Sequence, residues 1–266
     1  MSNLVPYLGG KNRLAKTVIA KLPAHTCYCE VFAGGAGVFF AKEPAEAEIL
    51  NDRDRELVNL YRIVKLHPEE LYRQFKFSLV SRAEFERLLA ENPESLSDIQ
   101  RAARYLYVQQ SCYGGRVNNR SWSANTAGAG NLSLFNLQSV IEEAWMRLAH
   151  AQVECMDFRE FIPRYDREYT CFYCDPPYWG LPYYQFNFVE QDFVDLSNIL
   201  ADIKGGFVLS INDTPEIREI FGRFTIEEVR FKYTAGARTA GSADILRTEL
   251  LISNKQPAKR QLSLID

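Results

Sequence analysis

Thr170-Cys171-Phe172-Tyr173-Cys174-Asp175-Pro176-Pro177-Tyr178 is the segment on which the reading of this chain turns. Its first five residues form an apolar run, the pattern of a buried strand. The run ends on a carboxylate, two prolines and an aromatic. Two prolines remove two backbone donors and fix φ, so the turn is stiff. The Pro176 carbonyl is left without a ladder partner and can accept from a ligand. Asp175 adds a second acceptor and Tyr178 a flat face. Two acceptors beside a stacking ring suit a planar group bearing an NH2, such as adenine or cytosine. The competing reading is a proline-terminated strand with a capping aspartate.

Upstream, Tyr28-Cys29-Glu30-Val31-Phe32-Ala33 reads as another strand and runs into Gly34-Gly35-Ala36-Gly37 and a helical stretch. A glycine-rich strand-to-helix turn lets a ligand approach the backbone at a helix N-terminus. A dinucleotide fold places a third glycine where this chain has Phe40, which disfavours NAD. An acidic residue about 20 positions on, at the end of the next strand, binds ribose hydroxyls. Glu48-Ile49-Leu50-Asn51-Asp52 supplies Asp52. A glycine turn with a ribose carboxylate points to a nucleoside cofactor without a pyrophosphate, and S-adenosylmethionine is the candidate.

Five blocks in this order resemble the DNA adenine-N6 methyltransferases of the Dam type (the D12 class, alpha group), phage-encoded members especially. The blocks are Val5-Pro6-Tyr7-Leu8-Gly9-Gly10-Lys11, Glu30 to Gly37, Leu50-Asn51-Asp52 with the helix Glu56 to Lys65, Asp175 to Tyr178, and Ser210-Ile211-Asn212-Asp213-Thr214. The resemblance runs from Tyr7 to about Asn254. It implies a Rossmann-like S-adenosylmethionine-dependent fold with a seven-stranded, mainly parallel sheet and an inserted helical target-recognition lobe. It assigns Tyr7, Lys11, Phe32 and the turn Gly34-Gly35-Ala36-Gly37 to the methionine end of the cofactor, Asp52 to the ribose, and Glu30 to cofactor binding. Asp157-Phe158 suits the cofactor's adenine; helix N-capping is an equal reading of Asp157. Asp175, which also borders the cofactor, Pro176 and Tyr178 become the catalytic group, acting on N6 of an adenine flipped out of double-stranded DNA. Tyr113 matches an aromatic that inserts into the DNA stack, and Arg104, Arg116, Asn118 and Arg120 are the other candidate DNA contacts. Gly114 stands where GATC-reading Dam enzymes carry Asn, so the GATC target does not carry over.

Composition narrows the classes. Of 266 residues, 47% are hydrophobic, no apolar run spans a membrane and no signal peptide opens the chain, so a cytoplasmic protein is expected. The net charge of −3 requires any DNA surface to be a local basic patch. Arg101, Arg104, Arg116 and Arg120 form one candidate cluster; Arg230, Lys232, Arg238 and Arg247 form another. Cys27-x-Cys29 and Cys171-x-x-Cys174 lie inside strand patterns, and His25, His67 and His150 sit in no motif, so no metal is expected.

Strands are expected near 28–33, 46–52, 152–158, 170–175, 206–212, 225–234 and 245–253. Helices are expected near 11–22, 36–42, 54–66, 138–150, 190–203 and 214–222. Such alternation makes a mainly parallel sheet covered on both faces, the last strands supplying an antiparallel member. Residues 1–67 and 137–254 form the catalytic domain. Residues 68–136 form a helical lobe, opened by the capping-box patterns Ser81-x-x-Glu84 and Ser97-x-x-Gln100 and carrying a polar loop from Tyr113 to Leu132. Residues 255–266 read as a flexible tail. Its Gln261-Leu262-Ser263-Leu264-Ile265 resembles the pentapeptide by which bacterial replication proteins hold the sliding clamp. Alternatives are methylation of another amino group (cytosine N4, RNA adenine or a protein amide) and a silent DNA-binding relative.

Overall fold

The computed structural model describes residues 4–7, 14–124, 132–182, 184–233 and 245–254, the side chains of 231–233 and 245–247 excepted. Seven strands form one sheet: β1 (Cys27–Glu30), β2 (Ala47–Asn51), β3 (Ala151–Glu154), β4 (Thr170–Cys174), β5 (Gly206–Asn212), β6 (Thr225–Tyr233) and β7 (Ile245–Ser253). Their order is β3-β2-β1-β4-β5-β7-β6. β1 to β5 are parallel, and β7 runs antiparallel between β5 and β6. The chain works outward from β1 to β3 and then returns to lay β4 on the other side of β1. That reversal makes β1/β4 a topological switch point, and crevices for ligands open at the carboxyl ends of strands there. Val31 N donates to Tyr173 O at 2.9 Å just past the end of β1, so Glu30 to Gly34 and Cys174 to Tyr178 leave the sheet side by side.

Alternation along the strands divides the interior into two cores. Tyr28, Leu50, Cys171, Tyr173, Val208 and Leu251 face one side. There they meet α1 (Ala15–Lys21), α2 (Gly37–Ala41), α3 (Arg55–Leu66) and α7 (Leu134–Leu148). Cys29, Ile49, Phe172, Cys174, Leu209 and Ile252 face the other, against α8 (Phe158–Tyr165), α9 (Glu190–Asp202) and α10 (Pro215–Ile220). The lobe contributes α4 (Pro68–Arg73), α5 (Arg82–Ala90) and α6 (Asp98–Ser111). Leu71, Phe85, Tyr105 and Leu106 from these helices join the first core, so the lobe shares apolar interior with one face of the sheet. Ser97 and Gln100 form a reciprocal capping box at α6. At α5, Ser81 caps Glu84 N alone, because Arg87 draws the Glu84 carboxylate along the helix surface.

Several boundaries differ from the sequence-based expectation, among them the end of β1, at Glu30 and not near 33. The strand expected near 152–158 ends at Glu154, and α8 begins at Phe158. Pro163 inside α8 removes a helix donor, which hides this helix from pattern reading. Helix α7 begins at Leu134, four residues before the expected start.

One buried ion cluster ties α7 to the sheet. Glu48, with a side chain 3% exposed, pairs with Lys42 at 2.7 Å and with Arg147. Burial works against its ionisation, but the bonds from Arg147 and Lys42 prevail and hold the carboxyl below the usual range. A group with a depressed folded-state pKa stabilises the fold above its unfolded value and loses that contribution as pH falls. Glu48→Ala leaves two buried cations unpaired. A loss of about 3–5 kcal/mol in urea unfolding at pH 7 is expected, shrinking as pH falls below about 4.

Candidate active site

The crevice at the β1/β4 reversal is a cavity of about 1050 Å³, counting its open mouth. Its floor is the turn that follows β1. Gly34 takes φ +47°, and a Cβ on it would stand 3.2 Å from the Tyr7 ring. Glycine is therefore needed there twice, for conformation and for close approach. The turn is held from two sides. Gly34 N donates to Asp52 Oδ2 at 2.8 Å, and the Tyr61 hydroxyl donates to Gly34 O at 2.6 Å. Asp54 N donates to the other Asp52 oxygen at 2.9 Å. Asp52 is thus locked beside the turn by backbone donors, with acceptor capacity left on its carboxylate. Tyr7 reaches the cavity because the lobe holds its segment in place: Gln109 Nε2 donates to Pro6 O at 3.0 Å and Gln110 Nε2 to Leu4 O at 2.7 Å.

Six carboxyls line this cavity: Glu30, Asp52, Asp54, Asp157, Asp175 and Asp192. Glu30 accepts from the Tyr28 hydroxyl at 2.9 Å and Phe39 N at 3.0 Å, joining β1 to α2. Burial nevertheless pushes its carboxyl up to about 8, with neighbouring Asp175 adding to the rise. Burial likewise raises Asp52 to about 6, against the backbone donors that favour its charge. Ionised carboxyls in such a place call for a cation. The glycine cradle, the acceptor capacity of Asp52 and these ionisable carboxyls suit S-adenosylmethionine, whose sulfonium and ammonium are both positive and would favour their charged forms.

At the end of β4, Asp175 lines the cavity and accepts from Ser210 Oγ at 3.2 Å; the Ser210 and Tyr173 hydroxyls lie 2.8 Å apart. Pro177 lines the cavity as well. Tyr178 is half-buried on the second core, outside the cavity lining, and its hydroxyl donates to Glu249. An aromatic wall closes one side. Phe32, Phe158 and Phe188 stand with ring centroids 5.3–5.8 Å apart. The Arg159 guanidinium covers Phe158 at 4.4 Å and is neutralised by Asp157, Asp192 and Asp195. Asp157 caps α8 through Arg159 N at 3.0 Å and also lines the cavity, so the capping role leaves it in reach of a ligand there.

Other expected residues fall elsewhere. Lys11 lies outside the described residues. Arg104 is 9% exposed and donates to the carbonyls of Leu88 and Leu89, so it serves the α5–α6 junction and is not presented to DNA. Its burial comes from tertiary packing that no local pattern announces. Arg101 is held by Glu56. Arg120 lies over the Tyr105 ring at 5.2 Å, half-buried, and Asn118 donates to Tyr184 O. Tyr113, 50% exposed, and Arg116 face solvent. In the second basic cluster, Arg230 is exposed and the side chains of Lys232, Arg238 and Arg247 are outside the described set. The loop from Tyr184 to Phe188, which lines the cavity, went unread in the sequence; its alternating aromatics after the proline turn were the available signal. Among the described residues no group of three His, Cys, Asp or Glu is arranged to hold a metal.

A parallel sheet with this strand order, a nucleoside-sized cavity at its switch point and an Asp-Pro-Pro-Tyr edge define a methyltransferase site. Comparison with known proteins narrows the class. The family model of D12 class N6 adenine-specific DNA methyltransferases matches residues 7–235, and the chain belongs to this family. The DNA adenine methylase of Serratia marcescens is 30% identical, over 90% of this chain and 94% of its own. A type II methyltransferase, M.CviBI of Paramecium bursaria Chlorella virus NC1A, is 25% identical over 96% of this chain and all of its own. The DNA N-6-adenine-methyltransferase of Escherichia phage P1 is 26% identical over 82% of this chain and 31% of its own length.

Glu30 supplies a test of the site's electrostatics. Its folded-state pKa lies above the unfolded value, so the protonated form stabilises the fold and that contribution is lost as pH rises from about 4 through about 8. Asp52 acts in the same sense, but only up to about 6. Glu30→Gln keeps an acceptor for Tyr28 and Phe39 and removes the charge. The ligand-free variant should therefore melt a few degrees above the parent at pH 9 and near it at pH 5. Equal shifts at both pH values would contradict the assignment.

Proposed function

We propose that this chain transfers a methyl group from S-adenosylmethionine to N6 of an adenine flipped out of double-stranded DNA. The observation that supports it most is the placement of Asp175 on the lining of a cavity that also holds the glycine turn and Asp52. The N6 lone pair is conjugated into the purine ring, so the amino group is a weak nucleophile. Asp175 and the Pro176 carbonyl accept from its two N–H bonds, which returns electron density to nitrogen and favours a tetrahedral geometry. Tyr178 gives the base a stacking surface. When bound, S-adenosylmethionine supplies a methyl carbon made electrophilic by its sulfonium. Tyr7, Glu30, Phe32, the Gly34-Gly35 turn, Asp52 and Asp157-Phe158 hold it, with Lys11 as a further contact at its methionine end. Positioning and fixed charge carry the chemistry, and no covalent intermediate with the protein is needed.

Residues 68–136 serve as the target-recognition lobe, with Tyr113 and Arg116 as its solvent-facing DNA contacts and Asn118 and Arg120 at its inner edge. The reaction takes place where DNA is, in the cytoplasm of a bacterial or phage-infected cell. Gln261 to Ile265, outside the described residues, is a clamp-binding sequence: Leu262, Leu264 and Ile265 suit apolar pockets and Gln261 a hydrogen bond.

Two measurements check this function. With methylation-free DNA and S-adenosylmethionine carrying a tritiated methyl group, Asp175→Ala should transfer label about 10²–10³-fold more slowly while still binding cofactor. Transfer at the parental rate would reject the catalytic assignment. Deleting residues 261–266 should abolish pull-down by the bacterial sliding clamp and leave methylation of short duplexes unchanged; absence of clamp binding by the intact chain would end that part of the reading.

A further inference from the structure

The catalytic loop is suspended from two neighbouring strands by side chains that the reaction itself does not use. β5 and β7 run antiparallel, and Asn212 on β5 stands opposite Glu249 on β7. Asn212 grips the backbone of Trp179 twice: Trp179 N donates to Oδ1 at 3.0 Å, and Nδ2 donates to Trp179 O at 3.1 Å. Next to that clamp, the Tyr178 hydroxyl donates to Oε1 of Glu249, a residue only 6% exposed. A buried carboxylate is costly to keep and packs no better than an apolar residue of its size. Its place here calls for a reason beyond stability. Stacking on a base does not require a hydroxyl either, since any aromatic face stacks. What the hydroxyl adds is a directional bond at the far end of the ring. With its backbone clamped through Trp179 and its tip bonded to Glu249, the Tyr178 ring has both side-chain torsions fixed.

We propose that Glu249 is a positioning residue for methyl transfer: with Asn212 it fixes the plane of the Tyr178 ring, and through that ring the height of the flipped base relative to Asp175 and the Pro176 carbonyl. This deepens the function proposed above and rests on it. A base stacked on a ring free to tilt spends less time with N6 between its two acceptors, so the loss falls on turnover rather than on cofactor binding.

A double-mutant cycle on kcat tests the latch, using the full chain, methylation-free DNA and S-adenosylmethionine. Tyr178→Phe and Glu249→Ala should each lower kcat about tenfold, and the double variant should lose no more than about tenfold, because both remove one bond. KM for S-adenosylmethionine should stay at the parental value. Glu249→Gln, whose amide oxygen still accepts from the phenol, should recover most of the turnover. Should Glu249→Ala fail to fold, Tyr178→Phe and Glu249→Gln, both nearly isosteric, decide: the first slow and the second near parental supports the latch. Losses that multiply to about a hundredfold, or a Tyr178→Phe enzyme with parental kcat, overturn it. So does a Glu249→Ala defect confined to melting temperature or to KM for the cofactor. Methylation surviving in Asp175→Ala removes the catalytic assignment and the latch with it. An inactive Asp175→Ala together with multiplying losses removes the latch alone.

Discussion

The side-by-side pairing of β1 and β4 sets the geometry of everything functional in this molecule. In that register Glu30 pairs with Tyr173, so the glycine turn after one strand and the Asp-Pro-Pro-Tyr turn after the other emerge at the same level. Under the proposed function, a cofactor held by the first turn would lie against a base held by the second. The prolines stiffen one side of the junction. On the other, Asp52 and Tyr61 hold Gly34 in a left-handed conformation. Preorganisation of this kind matters most for a displacement whose barrier is lowered by alignment and not by a covalent step.

Charge completes the design. The cavity collects six carboxyls against two arginines, Arg53 and Arg159; both pair with Asp157, and Asp192 and Asp195 complete the match for Arg159. A cationic ligand would favour the charged forms of these carboxyls. Tyr113 and Arg116 of the lobe face solvent, outside the lining of this cavity. The lobe is not remote from the cofactor side. Gln109 and Gln110 of α6 pin the segment that carries Tyr7, and Asn118 bonds the carbonyl of Tyr184 on the cavity rim. The lobe and the cavity rim thus share hydrogen bonds.

Much of this was legible in the sequence, because the sheet's alternation and the two strand-end turns are local patterns. Glycine at a turn, a carboxylate at a strand end and proline after it act on their own backbone, so their spacing reveals them. The features that escaped are those whose partners lie far along the chain. Tyr61 meets Gly34 across 27 residues, and Tyr178 meets Glu249 across 71. Arg104 read as a DNA contact because its charge is visible in the sequence, whereas its carbonyl partners on Leu88 and Leu89 come only with the packing of α5 on α6. Helix α8 was concealed by Pro163, although the cap that starts it, Asp157, had already been singled out.

The central claim is that the two acceptors at the end of β4 act on the amino group of adenine. Nucleoside mass spectrometry of methylation-free DNA, after incubation with the protein and S-adenosylmethionine, tests it directly. N6-methyldeoxyadenosine as the modified nucleoside is the expected result. N4-methyldeoxycytidine, or no modified nucleoside from a protein that binds the cofactor, would contradict it.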